Sequence, residues 1–318
     1  MTQFLHGSST FSRTHPAEKE PSIIQAQQFL NRMSNNGRFP LYISDFREMR
    51  DAKLAPAEFI TSALYLDCLG YYQTDSQLTH QIIKYLKSSI LPDLTVCFTE
   101  DIALMPADTE TTSFIAGLLW ELGALSTDTA QKIADRVLEN KNEQGRVYIY
   151  FEREDKPDRR LDYVSSLNVL TFLGQLGREE EAASTIAWID EIIATKAFCK
   201  GSYYYHSPSS FFYFAARLVK RVPKLGQRWI KQLQEALVTY KPDPHYPIEL
   251  STTITAKVWL QVPFLSSNIE TLKRLQKPSG AWPADSLYHL GTAERYFGNE
   301  IMSTTFAAQA LMEFDQAF

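Results

Sequence analysis

The sequence has 318 residues, of which 44% are hydrophobic and 22% are charged, with 32 basic against 37 acidic side chains. A chain of this length is expected to form one or two domains and to bury about three quarters of its unfolded surface. The net charge of -5 argues against nucleic-acid binding, which requires a basic excess. Cys68, Cys97 and Cys199 form no CxxC pair, which argues against a disulfide framework or a cysteine-rich zinc site.

The first 20 residues are polar and lack periodicity, so we expect an N-terminal arm over residues 1–20. The remaining residues, 21–318, are expected to form a single domain. No apolar stretch near the N-terminus resembles a signal peptide, and no run approaches the roughly 20 apolar residues of a transmembrane helix. We therefore expect a cytoplasmic protein.

From Ile23 onward, apolar residues recur at helical spacing, and the predicted helices come in six pairs. The first helices of the pairs begin near Ile24, Ile82, Ile133, Thr185, Trp229 and Ile269. The second helices are predicted over Glu58–Tyr72, Thr111–Gly123, Asp162–Gly177, Ser209–Val219, Ser251–Val262 and Ser303–Phe314. Six such hairpins predict an all-α protein, an α/α barrel whose second helices line the inside.

Most second helices start with Ser and Thr clusters, which we expect to cap free backbone N–H groups. The loops in front of these clusters surround one mouth of the predicted barrel. They combine isolated carboxylates with many of the 40 aromatic residues of the chain, 19 Phe, 16 Tyr and 5 Trp. This mouth is the candidate site.

Three stretches carry a family resemblance. Asp108-Thr109-Glu110-Thr111-Thr112-Ser113 resembles the DxDDTA or DxDTT signature of class II terpene cyclases. Residues 275–282, Leu-Gln-Lys-Pro-Ser-Gly-Ala-Trp, resemble the QxxxGxW turn of squalene-hopene cyclases, and residues 297–311 look like the last inner helix of their β-domains. That family has the same six-hairpin barrel. In its short length, the chain is similar to stand-alone, single-domain meroterpenoid cyclases of the merosterolic acid synthase type.

The resemblance implies an enzyme that cyclises a linear polyprenyl substrate, with a prenylated aromatic acid favoured, and that needs no metal or organic cofactor. A carboxylic acid kept neutral in an apolar cavity would protonate the substrate. Aromatic faces would then stabilise the carbocations, each by about 1 to 2 kcal/mol.

By alignment with the signature, Glu110 falls on the proton donor and Asp108 on the supporting carboxylate. The family normally has Asp at the donor position, so both residues remain candidates. In the competing interpretation, Asp108 caps the helix and Glu110 completes a capping box. The residues expected to contact the substrate are Thr111, Trp120, Tyr163, Tyr205, Phe211, Phe212, Trp259, Tyr288, Phe297 and Phe306. His206 and His289 are weaker candidates for orienting the acid.

Alternative functions make different demands on the sequence. A class I terpene synthase needs a DDxxD cluster, and the charged stretch Asp155–Asp158 is better explained as a solvated turn. A zinc prenyltransferase needs a DxC pattern, whereas Asp67 and Cys68 are adjacent within an apolar helix. A six-hairpin glycoside hydrolase or lyase and a non-catalytic prenyl-lipid-binding barrel remain as alternatives. The segment Phe211–Arg221 is apolar and then basic, which could allow transient contact with a membrane surface.

Overall fold

A computed structural model describes residues 20–70, 76–151, 160–263, 266–291 and 293–317. The predicted arm up to residue 19, the stretch Asp155–Asp158 and the predicted end of the first inner helix at Tyr72 lie outside the described residues.

The helices alternate between an outer and an inner layer. The outer helices are α1 (Pro21–Met33), α3 (Gln77–Lys87), α5 (Thr127–Glu139), α7 (Ala183–Thr195), α10 (Ile230–Thr239) and α12 (Ser266–Arg274). The inner helices are α2 (Ile60–Leu69), α4 (Thr109–Glu121), α6 (Tyr163–Gln175), α8 (Pro208–Arg221), α11 (Pro247–Trp259) and α13 (Glu300–Ala317). A short helix α9 (Pro223–Gly226) and two 3₁₀ turns, Glu179–Ala182 and Ala197–Lys200, lie between them.

Burial follows from how the apolar residues are spaced. Every residue of α2 is buried, as expected of a helix that is apolar on all sides. The outer helix α3 instead buries one stripe, with Leu78, Ile82, Tyr85 and Leu86 inward and lysines outward. Each inner helix packs against the next, and α13 packs against α2, so the ring closes. The predicted α/α barrel of six hairpins is confirmed.

A small antiparallel sheet, which the all-α expectation missed, lies at the mouth of the barrel. Its strands are β1 (Tyr42–Ser44), β2 (Lys53–Leu54), β3 (Asp285–Leu290) and β4 (Arg295–Asn299), in the order β2-β1-β4-β3. Strands β3 and β4 lie so close together at Gly298 that only glycine fits there, because a Cβ would lie 2.0 Å from the Asp285 carbonyl oxygen. Pairing of β1 with β4 joins the first hairpin to the last.

The turn around Gln276 also closes the ring. The Gln276 side-chain amide donates to the Ser22 carbonyl oxygen (2.8 Å) at the start of α1, and the Trp282 indole donates to the Leu272 carbonyl oxygen (2.7 Å). Gly280 has φ of +89°, and a Cβ there would lie 2.4 Å from the Gln25 carbonyl oxygen. This turn is therefore architectural.

None of the helices in the described ranges has both the length and the hydropathy that crossing a bilayer requires. The apolar part of the Phe211–Arg221 segment lies inside the barrel on α8, where Phe211, Phe212, Tyr213 and Phe214 are at most 1% exposed. These side chains are not available to a lipid surface.

Candidate active site

Polar side chains from the loops at the mouth cap the inner helices. Glu58 accepts a hydrogen bond from the backbone N–H of Thr61 on α2 (3.0 Å), and Asp162 accepts from Val164 on α6 (2.8 Å). Asp285 from β3 reaches across to the backbone N–H of Ile248 on α11 (3.0 Å). Carboxylates suit these positions because they satisfy unpaired N–H groups and meet the positive end of the helix dipole.

The Ser and Thr clusters have a different role from the expected capping. Ser251, Thr252 and Thr253 lie one turn inside α11, and their hydroxyls donate to carbonyl oxygens of the preceding turn at 2.6 to 2.8 Å. Thr112 in α4 accepts from the backbone N–H of Val96 in the loop before the helix (2.9 Å). The clusters supply small hydroxylated side chains within the barrel, and the residues before them supply most of the caps.

Asp108 is one of these caps. It is buried, and its Oδ1 accepts from the backbone N–H of Thr111 (2.6 Å) at the start of α4. Burial raises the pKa of this carboxyl to about 7, and the nearby Glu110 adds to the rise, against the Thr111 hydrogen bond. The capping role considered for Asp108 in the sequence is therefore observed.

Glu110 does not complete a capping box. Its carboxylate reaches across to α6 and the loop before α8, where its partners are side chains. Ser165 Oγ lies 2.5 Å from Oε2, Asn168 Nδ2 lies 2.9 Å from Oε1, and the Tyr205 hydroxyl also donates to Oε1. Burial raises the pKa of Glu110 to about 7, and the charge of Asp162 adds to the rise, while the three donors lower it. A carboxyl of this pKa is protonated in a large fraction of molecules at neutral pH.

The hydrogen bonds indicate where that proton lies. Oε1 of Glu110 accepts from both Asn168 and Tyr205, which occupies its lone pairs. Oε2 pairs with the Ser165 hydroxyl, which can accept as well as donate, so a neutral carboxyl can carry its proton on Oε2. This oxygen is therefore the one that can release a proton.

Glu110 and Asp108 lie in the wall of a largely apolar cavity at the mouth. The cavity has an empty volume of about 590 Å³, counted out to its opening on solvent. It is lined by Phe98, Met105, Asp108, Glu110, Thr111, Ile149, Tyr150, Tyr204, Tyr288, His289, Leu290 and Phe297. An acid that faces a mainly apolar space can be desolvated, which general-acid chemistry on an alkene requires.

Of the predicted substrate contacts, Thr111, Tyr288 and Phe297 line this cavity. Tyr205 lies behind it, with its ring 5.0 Å from that of Tyr288 and its hydroxyl on Glu110. The structure thus brings these residues together with Glu110.

The remaining predicted aromatics pack elsewhere. The Trp120 indole donates to Thr127 beyond the C-terminal end of α4, and the Tyr163 hydroxyl donates to the Gly201 carbonyl oxygen. Core ring contacts hold Phe211 against Phe198, Phe212 against Tyr240, and Trp259 and Phe306 against Tyr213. A substrate contact for these six residues stays a prediction.

Several cavity residues were not predicted, because they lie in loops that have no helical period. Phe98 and Met105 precede α4, and Ile149 and Tyr150 follow Gly145. The alternating residues of the stretch 147–150, Val-Tyr-Ile-Tyr, are the signal that could have identified the last two.

Neither histidine contacts the acid in the arrangement observed. His206 bonds to Ser286, and burial together with the charge of Arg47 lowers the pKa of His206 to about 3. His289 lines the cavity, but its Nε2 lies 3.2 Å from the Ser202 carbonyl oxygen.

No family profile matches the chain. The chain is 29% identical over 210 residues to drimenol cyclase drtB from Aspergillus calidoustus, a match that covers 65% of this chain and 38% of that protein. The chain therefore matches well under half the length of this curated relative.

Solved structures of other proteins share the fold. The type II terpene cyclase MstE from Scytonema, in complex with geranylgeranyl dihydroxybenzoate as substrate, gives a TM-score of 0.68 at 13% identity, covering 93% of this chain and 97% of that one. A possible member of the GH105 family from Salmonella enterica gives a TM-score of 0.60 at 10% identity, covering 99% of both chains. The resemblance to class II terpene cyclases predicted from the motifs is confirmed, in sequence by the drimenol cyclase and in fold by MstE.

Proposed function

We propose that this protein catalyses the class II, protonation-initiated cyclisation of a linear polyprenyl substrate, with Glu110 as the proton donor. One observation carries the proposal. The Glu110 carboxyl lies in the wall of an apolar cavity, its pKa is raised, and its observed hydrogen-bond partners are all side chains. Sequence similarity to a drimenol cyclase and a fold shared with a type II terpene cyclase support the reaction class.

The first step is proton transfer from Oε2 of Glu110 to a terminal alkene carbon. The alkene π electrons form the new C–H bond, and the neighbouring carbon becomes a cation. Inner alkenes then attack in turn, each closing a ring and moving the cation along the chain. Loss of a proton from carbon to a base ends the reaction, so the product is an isomer of the substrate.

The partners of Glu110 favour this transfer. As the proton leaves, the carboxyl becomes negative, and the hydrogen bonds from Ser165, Asn168 and Tyr205 become charge-assisted. Interactions that strengthen as charge develops lower the barrier rather than only improving binding. The same three donors would hold the acid in one place between turnovers.

The aromatic residues of the cavity are suited to the later steps. Phe98, Tyr288 and Phe297 present rings to the space beside Glu110. A ring face stabilises a desolvated cation by about 2 kcal/mol and offers it no basic lone pair. Apolar walls also exclude water, which would trap the cation before ring closure is complete.

The substrate favoured for this chain is a prenylated aromatic acid, since MstE was solved with geranylgeranyl dihydroxybenzoate. The test is to incubate the purified protein with that compound and, separately, with farnesyl and geranylgeranyl diphosphate. We expect a polycyclic product of unchanged mass from at least one of them. Unaltered recovery of all three would contradict the proposal.

The fold shared with a possible GH105 member keeps glycoside cleavage as a second candidate. A glycosidase needs its two carboxyl groups on opposite sides of a sugar, several ångströms apart. Here Asp108 caps a helix and Glu110 faces an apolar wall, which favours a prenyl chain. Release of sugar from oligosaccharides would support this alternative, and binding of a prenyl lipid without turnover would support a non-catalytic barrel.

A further inference from the structure

A buried cluster of charges lies inside the barrel, below the candidate active site. Asp67 on α2 accepts from Arg217 on α8 at 2.8 Å, and Arg221, one turn further along α8, lies 2.7 Å from the same carboxylate oxygen. The side chains of Asp67 and Arg217 are 1% and 3% exposed. Burying such ions costs free energy that an apolar core would avoid, so the cluster is poorly explained by stability alone.

Arg217 has a second contact, which leads toward Glu110. Its Nη1 lies 3.4 Å from the Oδ1 of Asn168, and its guanidinium carbon lies 4.5 Å from the centre of the Phe114 ring. An arginine can only donate hydrogen bonds, so the oxygen of the Asn168 amide must face Arg217. The amide nitrogen then points the other way, to Oε1 of Glu110 at 2.9 Å.

We infer that Arg217, held in place by Asp67, is a positioning residue that fixes the Asn168 amide so that it donates to Glu110. This inference deepens the proposed function and rests on it, since Glu110 is the acid in that proposal. If the amide turned over, its oxygen would face the ionised carboxylate of Glu110, and two acceptors would meet. Arg217 prevents this without touching the acid.

Other groups also act on Glu110, and they define the background for a test. Asp162, at the start of α6, raises its pKa by charge, and Asp108 lies on the same turn of α4. Tyr205 donates to Glu110, and Tyr288 packs against Tyr205. These groups are unchanged by a substitution at the buried cluster.

The cluster itself is close to neutral. The two arginines, Arg217 and Arg221, are balanced by two carboxylates. Both arginines contact Asp67, and Arg221 Nη1 also lies 3.0 Å from the Glu121 carboxylate. The influence of Arg217 on Glu110 therefore passes mainly through the direction of the Asn168 amide.

The test compares Arg217→Met with Arg221→Met as a matched control. Each variant leaves Asp67 paired with the other arginine, so neither strands a buried carboxylate, but only Arg217 holds Asn168 in the observed contacts. In Arg217→Met we expect kcat to fall by about tenfold or more. We also expect the alkaline limb of the rate profile to move to higher pH, because a carboxyl that loses a donor ionises less readily. Arg221→Met should leave the pH of the alkaline limb unchanged. Arg217→Lys, which keeps a cationic donor, should bring the limb part of the way back to its native pH.

A second readout does not depend on turnover. The infrared band of the protonated Glu110 carboxyl, assigned by its loss in Glu110→Gln, can be titrated in each variant. A titration midpoint that rises in Arg217→Met and not in Arg221→Met supports the inference. This holds even if no tested substrate is cyclised, because a lack of cyclisation counts only against the proposed function. A midpoint and a limb both unchanged in Arg217→Met would overturn it. If Arg217→Met does not fold, the double variant Asp67→Asn, Arg217→Met, which removes one charge of each sign and leaves Arg221 paired with Glu121, replaces it in the same titration.

Discussion

Replacing Glu110 with Gln removes the proposed proton and very little else. The Gln side chain has the same shape, its oxygen can accept from Asn168 and Tyr205, and its nitrogen can donate to Ser165. No cavity or unpaired buried group is created, so we expect a free energy of unfolding at least equal to that of the native protein.

Activity should respond very differently. General acids contribute about 10² to 10⁴ in rate, and Glu110 is the proposed source of the first proton. We expect Glu110→Gln to reduce cyclisation by about 10³-fold or more, which corresponds to about 4 kcal/mol of transition-state stabilisation. The assay is product formation by gas or liquid chromatography with mass detection, at substrate concentrations both below and above KM, alongside thermal unfolding of each variant.

Asp108→Asn is the matched control, because Asn is as good a helix cap as Asp. The Thr111 N–H bond should survive, and the contacts of Glu110 are untouched. We expect less than about tenfold loss of activity in this variant. A Glu110→Gln protein that cyclises within tenfold of the native rate, or an Asp108→Asn protein that loses all activity, would refute the reasoning and transfer the donor role to Asp108.

Four further outcomes can be checked. Tyr205→Phe removes a donor from Glu110, so kcat should fall by about tenfold and the alkaline limb of the pH profile should move to higher pH; an unmoved limb would contradict this. Tyr288→Leu should release partly cyclised products, resolved by chromatography, or hydrated products, heavier by one water, because a ring face is lost from the cavity; an unchanged set of products would count against the role of the ring. Burial raises the pKa of Glu58 from 4.5 to about 7, so its protonated form favours the folded state and that contribution is lost as pH rises from about 4.5 through about 7. Between acid and alkaline pH, denaturant unfolding should therefore show a smaller loss of stability in Glu58→Gln than in the native protein, by up to about 3 kcal/mol. An equal loss in both proteins would mean that Glu58 is more solvated than the structure shows. Gln276→Ala should lower the free energy of unfolding by about 1 to 2 kcal/mol, since the bond to the Ser22 carbonyl is lost, while kcat measured well below the unfolding temperature stays unchanged.

The barrel could be predicted because its signals are local and repeated. Helical spacing of apolar residues separates fully buried inner helices such as α2 from one-sided outer helices such as α3. The turn around Gly280 is marked in the sequence by a glycine at a position that only glycine can occupy. The mouth sheet could not be predicted in the same way, since its strands are two to six residues long and pair segments far apart in the sequence.

The site was predicted where it depends on one short segment and missed where it depends on packing. The sequence around Asp108 and Glu110 gave a candidate acid pair but left open which of the two donates the proton. Ser165 belongs to one of the Ser and Thr clusters that were expected to cap helices, but Asp162 caps α6 and leaves the Ser165 hydroxyl for Glu110. The hydroxyl of Tyr205 donates to Glu110, a contact that the sequence did not predict, and the expected contact of Tyr205 with substrate stays a prediction. These roles follow from the contact between α4 and α6, which no local pattern encodes.

The most direct test of the central claim is cyclisation in deuterium oxide. A carboxyl in exchange with solvent carries deuterium, so a proton-initiated reaction places deuterium from Glu110 on the carbon that is protonated first. We expect the cyclised product of the native protein to be heavier by one mass unit, with the label at the terminus of the prenyl chain, and Glu110→Gln to form none of it. A cyclised product without deuterium, or one that has lost its head group through ionisation, would contradict the account.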